Sequence, residues 1–240
     1  MLEAAKARVG LADERHLQGS ALVETMQVKN GRLLHGELHL KRFEEGAKVL
    51  MMPRPPLGEF LAMAAALIKA NRLKAGGLRC RYFRNGALLM HPLRPSPPLA
   101  GPKKGLRLIT TPIRHFGPES LQGRLKVNSM LPNLLARWES QAWAEDGLRL
   151  TPAGYVAEGV WTNILIAKSG VLLTPPLSEG ILDGTTRAVA IRAWRKKGGE
   201  VREQPLTRYD LYTADKVWVC SSLRGMLKVT EVDGRQVGKG

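Results

Sequence analysis

Apolar and polar residues interleave in two different rhythms along the first ninety positions. SALVETMQVKNGRLL, residues 20–34, reads as two short strands meeting at Asn30-Gly31, a dipeptide that favours the tight hairpin turn. HGELHLKRFEEGAKVLMM, residues 35–52, changes to a helical period, with Leu38, Phe43, Ala47 and Leu50 on one face. LGEFLAMAAALIKANRL, residues 57–73, predicts a second helix, and GGLRCRYFRNGALLMH, residues 76–91, a second hairpin around Asn85-Gly86. PLRPSPPLAGPKKG, residues 92–105, then breaks every period. Its prolines and glycines mark a linker, dividing the chain into an N-terminal domain over 1–93, a linker over 94–105 and a C-terminal domain over 106–240.

The second half opens on a strand, LRLITTPI. Helical spacing returns at Leu131, Leu134, Leu135, Trp138 and Ala142, with Asn128 or Ser129 as the cap and Gly147 as the stop. Three strands follow, LRLT, YVAEGVWTNILIA and VLLTP, whose short turns predict an antiparallel meander. LDGTTRAVAIRAWRKKGG predicts a helix opened by Gly-Thr-Thr. ADKVWVCSSLRGMLKVTEVDGR returns to strands, with Asp233-Gly234 as a turn. Hairpins and helices together predict an α+β fold.

Composition narrows the class. The 240 residues are 44% hydrophobic, enough for a substantial core, and no apolar run reaches the ~18 residues of a membrane span. The charged N-terminus lacks an apolar signal core, which predicts a cytoplasmic protein. Cys80 and Cys220 lie far apart without metal-ligand spacing, so free thiols and no metal are expected. The formal charge of +16 raises nucleic acid as a partner. Yet the basic residues are spread along the whole chain, and aromatics at 5% offer few stacking platforms. A small anionic substrate is an equally physical use of that charge.

Three features carry candidate chemistry. Lys126 stands between Leu125 and Val127 just before a helix. A lysine that attacks a carbonyl must be partly desolvated so that its amine is free, whereas a snorkelling lysine needs nothing of the kind. Glu158 sits in an apolar strand, where a carboxylate requires a cationic partner unless it faces solvent. Gly184-Thr185-Thr186 opens a helix, either as a phosphate-binding terminus or as an ordinary cap.

The order and spacing of LVET, HLKRF, LKVN, GYVAEGVWTNILI, ILDGTTR and SSLRGM resemble the class IV pyridoxal-phosphate enzymes, the group of branched-chain aminotransferases, D-amino acid aminotransferases and 4-amino-4-deoxychorismate lyases. The resemblance spans roughly residues 13–240. It implies a small N-terminal α/β sandwich and a larger, mixed, barrel-like C-terminal domain. It also implies pyridoxal 5′-phosphate as cofactor and a homodimer. On that resemblance Lys126 bonds the cofactor, Glu158 pairs with its pyridine nitrogen and Arg42 grips its phosphate. Thr185, Thr186 and Ser222 would complete the phosphate cup, and Asn163 would be structural.

Within the group, KVNSMLPNLLA resembles the lyases, with asparagine two residues after the lysine and no tyrosine before Trp138. The reaction so implied releases 4-aminobenzoate and pyruvate from 4-amino-4-deoxychorismate, with the hydroxyl of Thr25 assisting. The substrate's two carboxylates call for arginines; Arg79, Arg81, Arg84 and Arg114 are the candidates. A branched-chain or D-amino acid aminotransferase is the alternative.

Overall fold

The computed structural model describes residues 19–93 and 105–238. The charged N-terminal segment and all but the last residue of the expected linker therefore lie outside the described residues. Strands β1 (Leu22–Lys29), β2 (Arg32–Leu33), β3 (Ala75–Tyr82) and β4 (Leu88–Leu93) form an antiparallel sheet in the order β2-β1-β3-β4. The β1–β2 turn is the expected one, with Asn30 at φ 52° and Gly31 at φ 70°, the left-handed pair that matches strand twist.

Helices α1 (Gly36–Val49) and α2 (Leu57–Ala70) cover one face of this sheet. Alternation along β1 sends Leu22, Met26 and Val28 into the core with Phe43, Ala47, Phe60, Leu78 and Tyr82. Burying each large apolar side chain there contributes about 1.5–3 kcal/mol. The buried stripe of α1 runs through Gly36, His39, Leu40, Phe43, Gly46 and Ala47, one step round from the predicted face, so Leu38 and Leu50 are only half-buried.

The larger sheet holds β5 (Leu106–Thr110), β6 (Asp146–Leu150), β7 (Val156–Gly159), β8 (Asn163–Lys168), β9 (Val171–Thr174), β10 (Val201–Glu203), β11 (Lys216–Ser221) and β12 (Gly225–Val232), with β13 (Arg235–Gln236) on β12. Its order is β10-β9-β8-β11-β12-β5-β6-β7, mixed parallel and antiparallel. The sheet curls until β7 comes back against β8. Leu108, Leu148, Ile164, Ile166, Val217 and Val229 fill the inside of the curl. Outside, α5 (Thr185–Lys196) packs Ile191 and Trp194 against Leu165, Leu172 and Trp218.

Several expectations fail here. The predicted meander is broken: YVAEGVWTNILIA is two strands, because the chain bends at Gly159–Thr162 and leaves β6 to join β11 and β9. The bend is closed by the Gly159 amide on the Thr162 carbonyl at 2.7 Å. The helix after Lys126 is α4 (Leu131–Ser140), capped by neither Asn128 nor Ser129. Its cap position is Met130, with Pro132 in the first turn, where the missing N–H costs nothing. Gly147 lies in β6 rather than ending the helix. The apolar face of α4 is largely exposed: Leu131 at 58%, Leu134 at 40% and Trp138 at 56%. Two short helices, α3 (Leu121–Arg124) and α6 (Arg208–Tyr212), and a 3-10 turn (Leu177–Glu179) complete the elements among the described residues.

Candidate active site

Beyond its two-residue pairing with β2, the outer edge of β1 is open, and the Lys126 segment takes it. The Val23 amide donates to the Lys126 carbonyl and the Asn128 amide to the Ala21 carbonyl, both at 2.8 Å, around a Leu22–Val127 bridge. Lys126 thus stands on the seam between the two sheets. Its ammonium has no hydrogen bond or ion pair among the described residues. Burial, then the Arg42 cation, pull its pKa down to about 8; Arg79 adds to the fall, and Glu24 and Glu158 oppose it.

Glu158 is buried at the end of β7, and three donors hold it. His115 Nε2 lies 3.1 Å from Oε1, while Asn163 Nδ2 at 3.1 Å and the Leu182 amide at 3.2 Å donate to Oε2. A carboxylate accepts about four hydrogen bonds, so one position remains, on Oε1. Asn163 also donates to the Leu182 carbonyl at 3.0 Å, fixing its orientation. Arg149, the cross-strand neighbour of Glu158, is buried as well, and burial lowers its pKa against the pull of Glu158.

Facing them is a second polar network rooted in β1. Glu24 points the same way as Leu22 and Met26, into the core, where an unpaired carboxylate would be costly. Helix α1 answers it with His39 and Arg42, three residues apart on one face. Arg42 grips Glu24 with Nε at 2.7 Å and Nη2 at 2.8 Å, and His39 Nδ1 approaches at 2.7 Å. Burial works to raise the Glu24 pKa, but the Arg42 charge and the bonds from His39 and Arg42 outweigh it and bring it to about 2. Arg42 Nη1 reaches across to the Asp183 carbonyl at 2.7 Å, just before the first turn of α5. There Thr185 Oγ1 lies 3.3 Å from His39 Nε2 and 3.1 Å from Ser222 Oγ. The α5 amides, the Thr185 and Ser222 hydroxyls and Arg42 therefore converge, and Thr186 lies in the same first turn.

The face of the small sheet away from its core carries the remaining candidates. Thr25 Oγ1 accepts from Arg79 Nε at 3.3 Å, and Arg81 stands two residues along β3 on the same side. Arg84 lies in the β3–β4 turn and Arg114 is exposed on another loop, so the structure groups only Arg79 and Arg81 with Thr25. A cavity of about 220 Å³ opens on Glu24, Arg42, Arg124, Lys126 and Asp183. A larger groove of about 530 Å³ between β2 and α2 shares no residue with it and is lined by aliphatic and cationic side chains alone. Only the smaller one opens on Lys126.

Sequence reasoning missed Glu24, His39 and His115. Glu24 had a signal: it occupies a core-facing parity in LVETMQV. His39 and His115 had none, since each is defined by a carboxylate distant in sequence.

A desolvated lysine without a partner among the described residues, a buried and oriented carboxylate and a helix N-terminus ringed with hydroxyls are groups that a ring-bearing phosphate cofactor would use. The chain belongs to the class IV aminotransferases: the family description "Amino-transferase class IV" matches residues 21–232. A Methanocaldococcus jannaschii protein provisionally named branched-chain-amino-acid aminotransferase is 31% identical over 245 residues, 96% of this chain and 85% of its own length. The T.th. branched-chain amino acid aminotransferase, solved with N-(5′-phosphopyridoxyl)-L-glutamate, superposes with a TM-score of 0.87 at 26% identity over 99% of this chain and 85% of that one. A Legionella pneumophila protein provisionally named 4-amino-4-deoxychorismate lyase shares the fold at a TM-score of 0.90 and 23% identity, over 99% of this chain and 92% of that one.

Proposed function

We propose that the chain is a pyridoxal-phosphate enzyme acting on a small amine with more than one carboxylate, and that its reaction is the 4-amino-4-deoxychorismate lyase reaction. The residues present fit the cofactor. Lys126 offers an amine with no partner among the described residues, Glu158 keeps one acceptor position for a ring N–H, and Thr185, Thr186, Ser222 and Arg42 would hold the phosphate. When bound, that cofactor supplies an electron sink at the carbon bearing the substrate nitrogen.

The chain's own residues do the rest. Glu158 would hold the ring nitrogen protonated, and His115, Asn163 and the Leu182 amide keep its carboxylate from turning away. Lys126 Nζ takes the proton from the substrate carbon and returns one to the departing three-carbon acid, which becomes pyruvate. Loss of that acid leaves an aromatic ring, which drives the step. The Thr25 hydroxyl stands beside Arg79, where it can assist the leaving group.

One observation carries the substrate reading. Thr25, Arg79 and Arg81 share one face of the small sheet, Arg79 lies close enough to Lys126 to lower its pKa, Arg81 bonds Asn128 two residues from it, and among the described residues no carboxylate lies within ion-pair distance of either arginine. A branched aliphatic substrate needs apolar lining; this face suits anions. The second reading, an aminotransferase, is favoured by the name of the 31%-identical relative and by the glutamate adduct of the T.th. enzyme. The test is product analysis. Reconstituted protein given 4-amino-4-deoxychorismate without an amino acceptor is expected to release pyruvate and 4-aminobenzoate in equal amounts. Glutamate formed from a branched-chain amino acid and 2-oxoglutarate, with no pyruvate from the first substrate, overturns the lyase reading. A homodimer, with the exposed face of α4 against a second copy, belongs to the same proposal.

A further inference from the structure

We propose that Arg81, held in place by His91 and Asn128, is the clamp for the substrate carboxylate farther from the amine. This rests on the reading of a multiply anionic substrate given above. β3 pairs with β1 on one side and β4 on the other, and Arg79 and Arg81 share the face away from the core. The two guanidiniums are held differently. Arg79 has a single bond, Nε to Thr25 Oγ1 at 3.3 Å. Arg81 has two: Nε donates to Asn128 Oδ1 at 3.2 Å, and Nη1 lies 3.2 Å from His91 Nε2.

The tautomer of His91 follows. Arginine only donates, so Nε2 must present its lone pair, and the ring proton sits on Nδ1. Nδ1 faces the Pro92 carbonyl at 3.4 Å, the acceptor that this tautomer needs. The imidazole is neutral in this arrangement. Burial pushes its pKa down and the cations of Arg81 and Arg79 add to the fall, against the Pro92 contact. His91 is therefore an acceptor that orients a cation rather than a third positive charge.

Asn128 is two residues from Lys126 and fixed to Ala21 through its own amide, so the clamp is anchored to the segment that carries the reactive amine. Two of the five Arg81 N–H groups are used, and three remain for a ligand. Burial, and after it the Arg81 cation, lower the Arg79 pKa. Two half-buried arginines side by side without a carboxylate favour a ligand that brings two negative charges. The ligand class is an amine with two separated carboxylates.

The test uses the cofactor-loaded protein, with glutarate as a two-carboxylate probe and pentanoate as its one-carboxylate counterpart. Binding is followed by calorimetry and, independently, by the cofactor's visible band. Wild type is expected to prefer glutarate. Arg81→Met should weaken glutarate by roughly 10- to 150-fold, the range of a charge-assisted bond, and leave pentanoate and the cofactor dissociation constant unchanged. His91→Phe should lose part of that preference, and His91→Gln, whose amide oxygen can accept from Arg81, should restore most of it. A glutarate-to-pentanoate ratio unchanged in Arg81→Met overturns the clamp. So does a loss that is equal for both probes. The probes do not react, so the clamp stands or falls apart from the lyase reading: pyruvate assays decide that reaction, and the probe ratio decides Arg81.

Discussion

Lys126 owes its lowered pKa to burial and to the Arg42 cation, and this has a kinetic consequence. Capture of pyridoxal phosphate by the apo-protein requires the neutral amine. With a pKa of about 8, the neutral fraction climbs tenfold per pH unit below that value and levels off above it. The capture rate, read by stopped-flow absorbance, is expected to follow the same curve. A rate still climbing past pH 10, toward the ordinary lysine value of about 10.4, would show an ordinary surface amine. Arg42 requires a different expectation from the one its sequence position gives. Three of its donors are engaged without the cofactor, two of them by Glu24, so its removal does more than weaken the phosphate site. Arg42→Ala strands a buried carboxylate, and Glu24→Gln strands a buried guanidinium. Each should cost about 3–5 kcal/mol in urea unfolding at pH 7, with the double variant costing less than the sum. The Glu24 pKa is depressed from 4.5 to about 2, so its contribution is complete above pH 4.5 and is lost as pH falls toward 2. That contribution is about 3 kcal/mol, and the gap between wild type and Glu24→Gln should close across that window.

At the scale of elements, the first turn of α5 does most to bring the site together. Gly184 precedes it, and a Cβ there would collide with Asn163 Oδ1. Asn163 is one of the three donors that hold Glu158. Gly184→Ala should therefore cost about 1–3 kcal/mol of stability and, more tellingly, lower turnover while the cofactor still binds. Unchanged turnover would mean that Asn163 yields without moving Glu158. This turn was legible in the sequence, because Gly-Thr-Thr before an amphipathic run is a local signal. Glu158 and Lys126 were legible as residues out of place in apolar surroundings. The break between β7 and β8 was not. A largely apolar run fits one long strand as well as two, and the bend depends on a Gly159–Thr162 contact and on which strands each half pairs with. Nor could the sequence distinguish the two faces of α4. Leucines at helical spacing mark an apolar stripe but say nothing of whether this chain covers it.

That uncovered stripe matters for the whole molecule. Leu131, Leu134, Leu135 and Trp138 are exposed along α4. The Asn133 amide bonds to the Val160 carbonyl, which brings exposed Trp161 near the same helix. Exposed aromatic and aliphatic side chains in one region are the ground for the dimer proposed above. Analytical ultracentrifugation is expected to show a dimer, and Trp138→Glu to shift it toward monomer; a wild-type monomer at micromolar concentration would overturn this. The +16 charge opposes self-association at low salt, so the dimer should tighten as ionic strength rises.

The seam at Lys126 also makes the reactive residue part of the small sheet's own edge. Two backbone hydrogen bonds join the 126–128 segment to β1, so any opening that frees β1 from its neighbour also releases the lysine. Amide exchange at Val23 and Asn128 would then act as a clock for the intact site. Cofactor attached at Lys126 should slow both amides together, while amides of β10, at the far edge of the other sheet, keep their apo rates. Equal slowing everywhere would mean that the cofactor stiffens the protein as a whole. Paired slowing at the seam would make loss of the cofactor and detachment of that short backbone segment a single event, with one rate constant.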